Sequence, residues 1–76
     1  MEELVRTIAK SLVDEPDSVE VRTVESGDDV TIELRVSDND MGKVIGKQGR
    51  IAKAMRTVVK AVATRENKRV SVDILQ

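Results

Sequence analysis

Val30-Thr31-Ile32-Glu33-Leu34-Arg35-Val36 alternates aliphatic and polar residues without a fault. A period of two places the aliphatics on one face of a strand and the hydroxyl and charges on the other. A sheet built on this strand therefore has one buried side and one wet side, and helices must cover a single face. The chain is 76 residues long, enough for one small domain and too short for two lobes with a cleft between them. At this size only about 60% of the unfolded chain's surface can be buried, which leaves no room for a large pocket.

The flanking segments fit the same plan. Between Glu2 and Val13, the residues Leu4, Val5, Ile8, Ala9 and Leu12 form one stripe of an amphipathic helix, with Glu2 and Glu3 in the first turn where the helix dipole favours them. Asp14-Glu15-Pro16 ends that helix, because a residue before proline avoids helical backbone. Val19 to Val24 reads as a strand, and Ser26-Gly27-Asp28-Asp29 as the turn joining it to Val30–Val36 in a hairpin. Asp38 or Asp40 is placed to cap a short helix over Met41 to Ile45, which breaks at Gly46-Lys47-Gln48-Gly49. In the next helix Ile51, Met55, Val58, Val59 and Val62 share one arc, with Lys53, Arg56 and Lys60 opposite; Arg56 and Lys60 read as a solvated face. It should stop near Arg65-Glu66-Asn67, with Asn67 as terminator, and Arg69 to Leu75 closes the chain as a strand. The expected fold class is α+β in the order α-β-β-α-α-β. A hairpin makes the first two strands antiparallel, and a two-helix crossover makes the second and third parallel. The result is a three-stranded mixed sheet with its second strand in the middle and three helices on one face.

Composition narrows the chemistry. With no Cys and no His there is no disulfide frame, thiol nucleophile, imidazole base or zinc finger. Neither a metal nor a cofactor is called for. Phe, Trp and Tyr are also absent, which disfavours modules that stack bases on aromatic platforms. No apolar run reaches the ~20 residues that span a bilayer, so a cytoplasmic protein without a membrane partner is expected. The net charge of −1 hides an asymmetry: residues 1–40 carry twelve acidic and four basic side chains, whereas residues 41–76 carry nine basic and two acidic. A basic C-terminal half has an electrostatic reason to meet a polyanion, unless the two halves neutralise each other in the fold.

The sharpest local signal is Met41-Gly42-Lys43-Val44-Ile45-Gly46-Lys47-Gln48-Gly49-Arg50-Ile51. Two glycines bracketing two polar residues let the backbone turn and approach a ligand, and the next helix start adds N–H groups beside Lys47 and Arg50. G-x-x-G alone is equally an ordinary helix–helix turn. In context, however, Val44 to Ile51 resembles the V-I-G-K-x-G-x-x-I signature of the KH domain, with a slightly shorter isoleucine spacing. Together with the element order and the run Ile51 to Ala61, the whole chain resembles the KhpA family of small bacterial KH-domain RNA-binding proteins, a type II KH domain over residues 1–76.

That resemblance implies a groove for single-stranded RNA, with the GxxG loop gripping about four nucleotides. It assigns Gly46 and Gly49 to close backbone approach, Lys47 and Gln48 to phosphate and sugar, and Ile45 and Ile51 to an apolar floor. Ile45 and Ile51 suit ordinary core equally well. Lys43, Arg50 and Lys53 would supply field. The implied role is non-catalytic, that of an RNA chaperone or post-transcriptional regulator, working as a homodimer or paired with a larger KH protein, KhpB.

Two rival readings have features of their own. A nucleotide-hydrolysing P-loop fails because no Ser or Thr follows Lys47 and the glycines are too close, so no enzyme is expected. A protein-interaction module, with GxxG as a plain turn, is supported by the breadth of small and apolar residues around Ala54, Val58, Val59, Ala61, Val62 and Ala63.

Overall fold

The computed structural model describes residues 1–75. Helix α1 spans Glu2–Leu12, strands β1 and β2 span Glu20–Ser26 and Asp29–Arg35, helix α2 spans Met41–Ile45, helix α3 spans Arg50–Arg65, and strand β3 spans Arg69–Leu75. Single 3-10 turns lie at Pro16–Ser18, Asp38–Asp40 and Lys47–Gly49. The sheet order is β1-β2-β3. Antiparallel pairing runs from Glu20 opposite Arg35 to Ser26 opposite Asp29, and parallel pairing from Asp29 beside Arg69 to Arg35 beside Leu75. The α+β class, the mixed sheet and the element order are those expected. Among the described residues no helix is long and apolar enough to cross a membrane.

The alternation in β2 does what its period requires. Val30, Ile32 and Leu34 are buried, and Val36 just beyond the strand joins them, while Asp29 and Arg35 are exposed. Val5 and Ala9 from α1, Val44 from α2, Met55 and Val59 from α3 and Val72 from β3 complete a core without one aromatic ring. Each fully buried aliphatic of this kind contributes about 1.5–3 kcal/mol. α1 is also tied to the sheet by a polar contact, as the Thr23 hydroxyl donates to Glu2 Oε2 at 2.6 Å.

One expectation is corrected. The buried stripe of α3 is Ala52, Met55, Val59 and Ala63, and Val58 is left 45% exposed. The small alanines let the helix lie close on the sheet, which rotates Val58 outward. Arg56 and Lys60 are exposed, as a solvated face requires, and the Arg56 Nε also donates to the Val72 carbonyl at 3.1 Å, over the edge strand. The end of α3 is as expected: Asn67 takes φ +58, its N–H reaches the Thr64 carbonyl, and the Lys68 N–H reaches that of Ala63. Those two bonds make a Schellman termination.

Candidate nucleic-acid interface

Four residues separate α2 from α3. The Gly46 N–H bonds back to the Gly42 carbonyl at 2.9 Å, closing α2, and the Gly49 N–H bonds to the Gly46 carbonyl at 3.1 Å, closing the turn. Gly46 has φ +78 and ψ 172, a conformation essentially reserved for glycine. Its missing side chain also makes room, because a Cβ there would lie 2.5 Å from Cγ1 and 2.8 Å from Cβ of Ile51. Gly49 is left-handed at φ +74, with open space where a Cβ would stand.

Gln48, at the tip, is left-handed as well, with φ 57 and ψ 25. For a residue with a Cβ this costs roughly 1–2 kcal/mol. Its side chain is held by Arg50, whose Nη2 donates to Gln48 Oε1 at 3.0 Å. No side chain caps α3, so the helix start faces solvent beside Lys47, Gln48 and Arg50, all exposed. Ile45 and Ile51 part company: Val44 is the residue of α2 that enters the core, Ile45 stays 36% exposed, and Ile51 is half-buried against Gly46.

The other end of α2 holds what the sequence did not disclose. Neither Asp38 nor Asp40 caps α2 through its side chain. Asp40 is fully buried, and its two oxygens accept the N–H groups of Asp14 at 3.1 Å and Glu15 at 3.0 Å, tying the exit of α1 to the start of α2. Those backbone bonds, with Lys43 adding to them, hold the Asp40 carboxyl below its ordinary value against the opposing effect of burial. Lys43 Nζ bridges Asp14 and Asp40, contacts that raise its own value. The field expected from Lys43 is therefore balanced where it stands. No motif marks Asp40, because its partners lie 26 and 25 residues away along the chain.

The remaining cations sort cleanly. Arg6 pairs with Glu2 and Glu3, Arg22 with Glu33, Lys43 with Asp14 and Asp40, Lys68 with Glu25 and Arg69 with Asp29. Lys47, Arg50, Lys53, Lys60 and Arg65 have no carboxylate partner among the described residues, and all lie in the loop or on α3. Lys10, in the last turn of α1, is the outlying case. The acidic half of the sequence thus neutralises Arg6, Arg22, Lys43, Lys68 and Arg69, all outside the loop and α3, and gives no carboxylate partner to Lys47, Arg50, Lys53, Lys60 or Arg65. Of the nine residues singled out from the sequence, the fold brings Ile45, Gly46, Lys47, Gln48, Gly49, Arg50 and Ile51 together, puts Lys53 next along α3, and turns Lys43 towards α1.

The chain matches the family described as KhpA/KhpB, KH domain, over residues 2–74. It is 63% identical over 75 residues to the RNA-binding protein KhpA of Clostridium perfringens, covering 99% of this chain and 100% of that one. The protein of the same name from Caldanaerobacter subterraneus subsp. tengcongensis is 61% identical over 75 residues, with 99% and 100% covered. That of Listeria monocytogenes is 49% identical over 76 residues, with 100% of both covered. Among solved structures, a variant of Era from Aquifex aeolicus bound to GDP and AlF4− superposes with a TM-score of 0.61 at 25% identity. Era in complex with MgGDPNP and a segment of 16S ribosomal RNA gives 0.55, also at 25% identity. Both likenesses cover 96% of this chain, which spans 28% of the length of each Era chain.

Proposed function

Because the chain belongs to the KhpA/KhpB family of KH domains, we propose that it binds single-stranded RNA at the Gly46–Gly49 loop, as a non-catalytic RNA chaperone or post-transcriptional regulator in the cytoplasm. The observation that carries this reading is the gathering of five cations without carboxylate partners at the loop and α3, while Arg6, Arg22, Lys43, Lys68 and Arg69 elsewhere are held by carboxylates. Relatives named as RNA-binding and a structural neighbour in complex with 16S ribosomal RNA support it.

In this reading Gly46 and Gly49 bring bare backbone to the strand, Lys47 and Gln48 meet phosphate and sugar, and Arg50 and Lys53 add field. Ile45, aliphatic and outside the core, lies under a base, with Ile51 closing the floor against Gly46. Lys43 serves from behind, through Asp14 and Asp40. One loop and a helix end neutralise about three phosphates, so the log–log salt slope on single strands is near roughly −2 and the affinity micromolar or weaker.

The test is the double variant Lys47→Asp/Gln48→Asp. It sets two negative charges where phosphate belongs and keeps both glycines, and Asp tolerates left-handed backbone better than most residues. A normal circular dichroism melt with RNA binding abolished is expected. A normal melt with parental binding would leave the loop as a mere connector.

A second reading concerns protein partners. Ala54, Val58 and Ala61 are exposed on one flank of α3, an apolar and small surface suited to a second copy of the chain or to KhpB. A dimer would also raise weak RNA affinity by holding two loops on one strand. Sedimentation across a concentration series tests this, and a strictly monomeric species removes the homodimer.

A further inference from the structure

α3 presents two different flanks to solvent. At about 3.6 residues per turn, Lys53 and Lys60 fall two turns apart on one flank, and Ala54, Val58 and Ala61 fall on the other. Arg56, nearest the sheet on the cationic flank, is occupied by the Val72 carbonyl. The hydroxyls of Thr57 and Thr64, beside Lys53 and Lys60, turn back onto the helix, donating to the carbonyls of Lys53 at 3.0 Å and Lys60 at 2.9 Å. What this flank offers a ligand is therefore a line of cations, Arg50, Lys53 and Lys60, rising about 15 Å from the glycine loop.

This line runs against the helix's own interests. The sixteen residues of α3 include no carboxylate, so the helix forgoes every stabilising pair between oppositely charged neighbours three or four positions apart. Arg50 and Lys53 also sit at the helix start, where the dipole disfavours positive charge. An extended anion laid along the flank removes both penalties. Resting on the RNA-binding reading of the loop, we propose that the site does not end there: the phosphate backbone of a longer single strand continues along this flank of α3 to Lys60. The opposite flank carries Ala54, Val58 and Ala61, with Arg65 one turn further at the helix end, which keeps this track separate from any protein contact made through Val58.

The experiment uses the full chain and two fluorescently labelled oligouridines, of about four and about ten nucleotides, titrated across a salt series. Lys60→Gln is compared with Lys10→Gln, which makes the same charge change at an unpaired cation on α1. Lys60→Gln should weaken the longer strand about three- to tenfold and lower its salt slope by about 0.7, leaving the shorter strand as in the parent. Lys10→Gln should change neither. If Lys60→Gln behaves as Lys10→Gln, or weakens both strands equally, the extended track is wrong. The loop reading survives that result provided Lys47→Asp/Gln48→Asp still abolishes binding, and falls with it if that variant binds as the parent does.

Discussion

At its N-terminal end α2 is held by a fully buried carboxylate whose oxygens both accept backbone N–H groups; at its C-terminal end three of the next four residues, Gly46, Gln48 and Gly49, take positive φ, with Lys47 and Gln48 exposed. Only five helical residues lie between, with Val44 anchored in the core. One end is fastened and its polar groups are matched: among the described residues no buried side-chain nitrogen or oxygen lacks a partner. The other end carries exposed cations without carboxylates and backbone that costs free energy. A binding loop needs both, since an exposed tip holds its shape only if its base cannot shift.

The sharpest break in this arrangement is Gly46→Val. Backbone strain of about 1–3 kcal/mol adds to overpacking against Ile51 of similar size, for a total of about 3 kcal/mol or more. Urea unfolding should show that loss together with lost RNA binding. Gly49→Ala, left-handed but with open space around its Cβ, should cost only about 1 kcal/mol. Equal losses at the two glycines would mean that Ile51 moves aside easily and that Gly46 is needed for backbone conformation alone.

At the fastened end, Asp40→Asn leaves one of two backbone N–H groups facing an amide NH2 rather than an oxygen, and Tm should fall by at least about 5 °C. Its pH dependence has a definite sign. The Asp40 carboxyl is lowered in the native state, so its stabilisation is complete above the ordinary carboxylate value and disappears as pH falls through the lowered one. Glu2, lowered by the Thr23 hydroxyl and by Arg6, titrates in the same direction. The parent should therefore lose stability on acidification more steeply than Asp40→Asn, with the two curves converging in acid. Parallel curves would show that Asp40 is not what fastens α2.

The contrast also separates what the sequence discloses from what it hides. Met41–Ile45 and Arg69–Leu75 were legible residue for residue, because glycine and alternating β-branched residues act through local backbone preference. The glycine loop was legible for the same reason. The phase of α3 was misread because valines outweigh alanines in a periodic pattern, whereas close packing on the sheet selects Ala52 and Ala63 over Val58. Asp38 and Asp40 read equally as a local cap since a sequence shows neighbours only. Arg56 and Gln48 were obscure for physical reasons of their own: a long side chain can fold back to a carbonyl, and glutamine seldom takes positive φ.

Gln48→Gly sharpens the comparison by removing the strain at the tip while leaving the fastened end alone. The gain from relieving left-handed backbone exceeds the entropy lost to a more flexible unfolded chain by up to about 1 kcal/mol, so the melt should rise. RNA affinity should fall nonetheless, because the Arg50–Gln48 hydrogen bond that orders the tip is gone. A lower melt would mean that this bond outweighs the strain.

The smallest expected effect belongs to Gly42→Ala. Gly42 lies one turn before Gly46 and shares none of its constraints: it has no positive φ, and nothing stands within 4 Å of where its Cβ would be. Alanine in a helical position is favoured over glycine by roughly 0.5–1 kcal/mol, so stability should rise by about 0.5 kcal/mol, with RNA affinity unchanged. Two glycines four residues apart, one inside α2 and one just past its end, would then answer in opposite directions, separating the helix proper from the loop that ends it. Should Gly42→Ala weaken RNA binding without loss of stability, the strand approaches the backbone of α2 itself, and the open end of the helix begins a full turn earlier than Gly46.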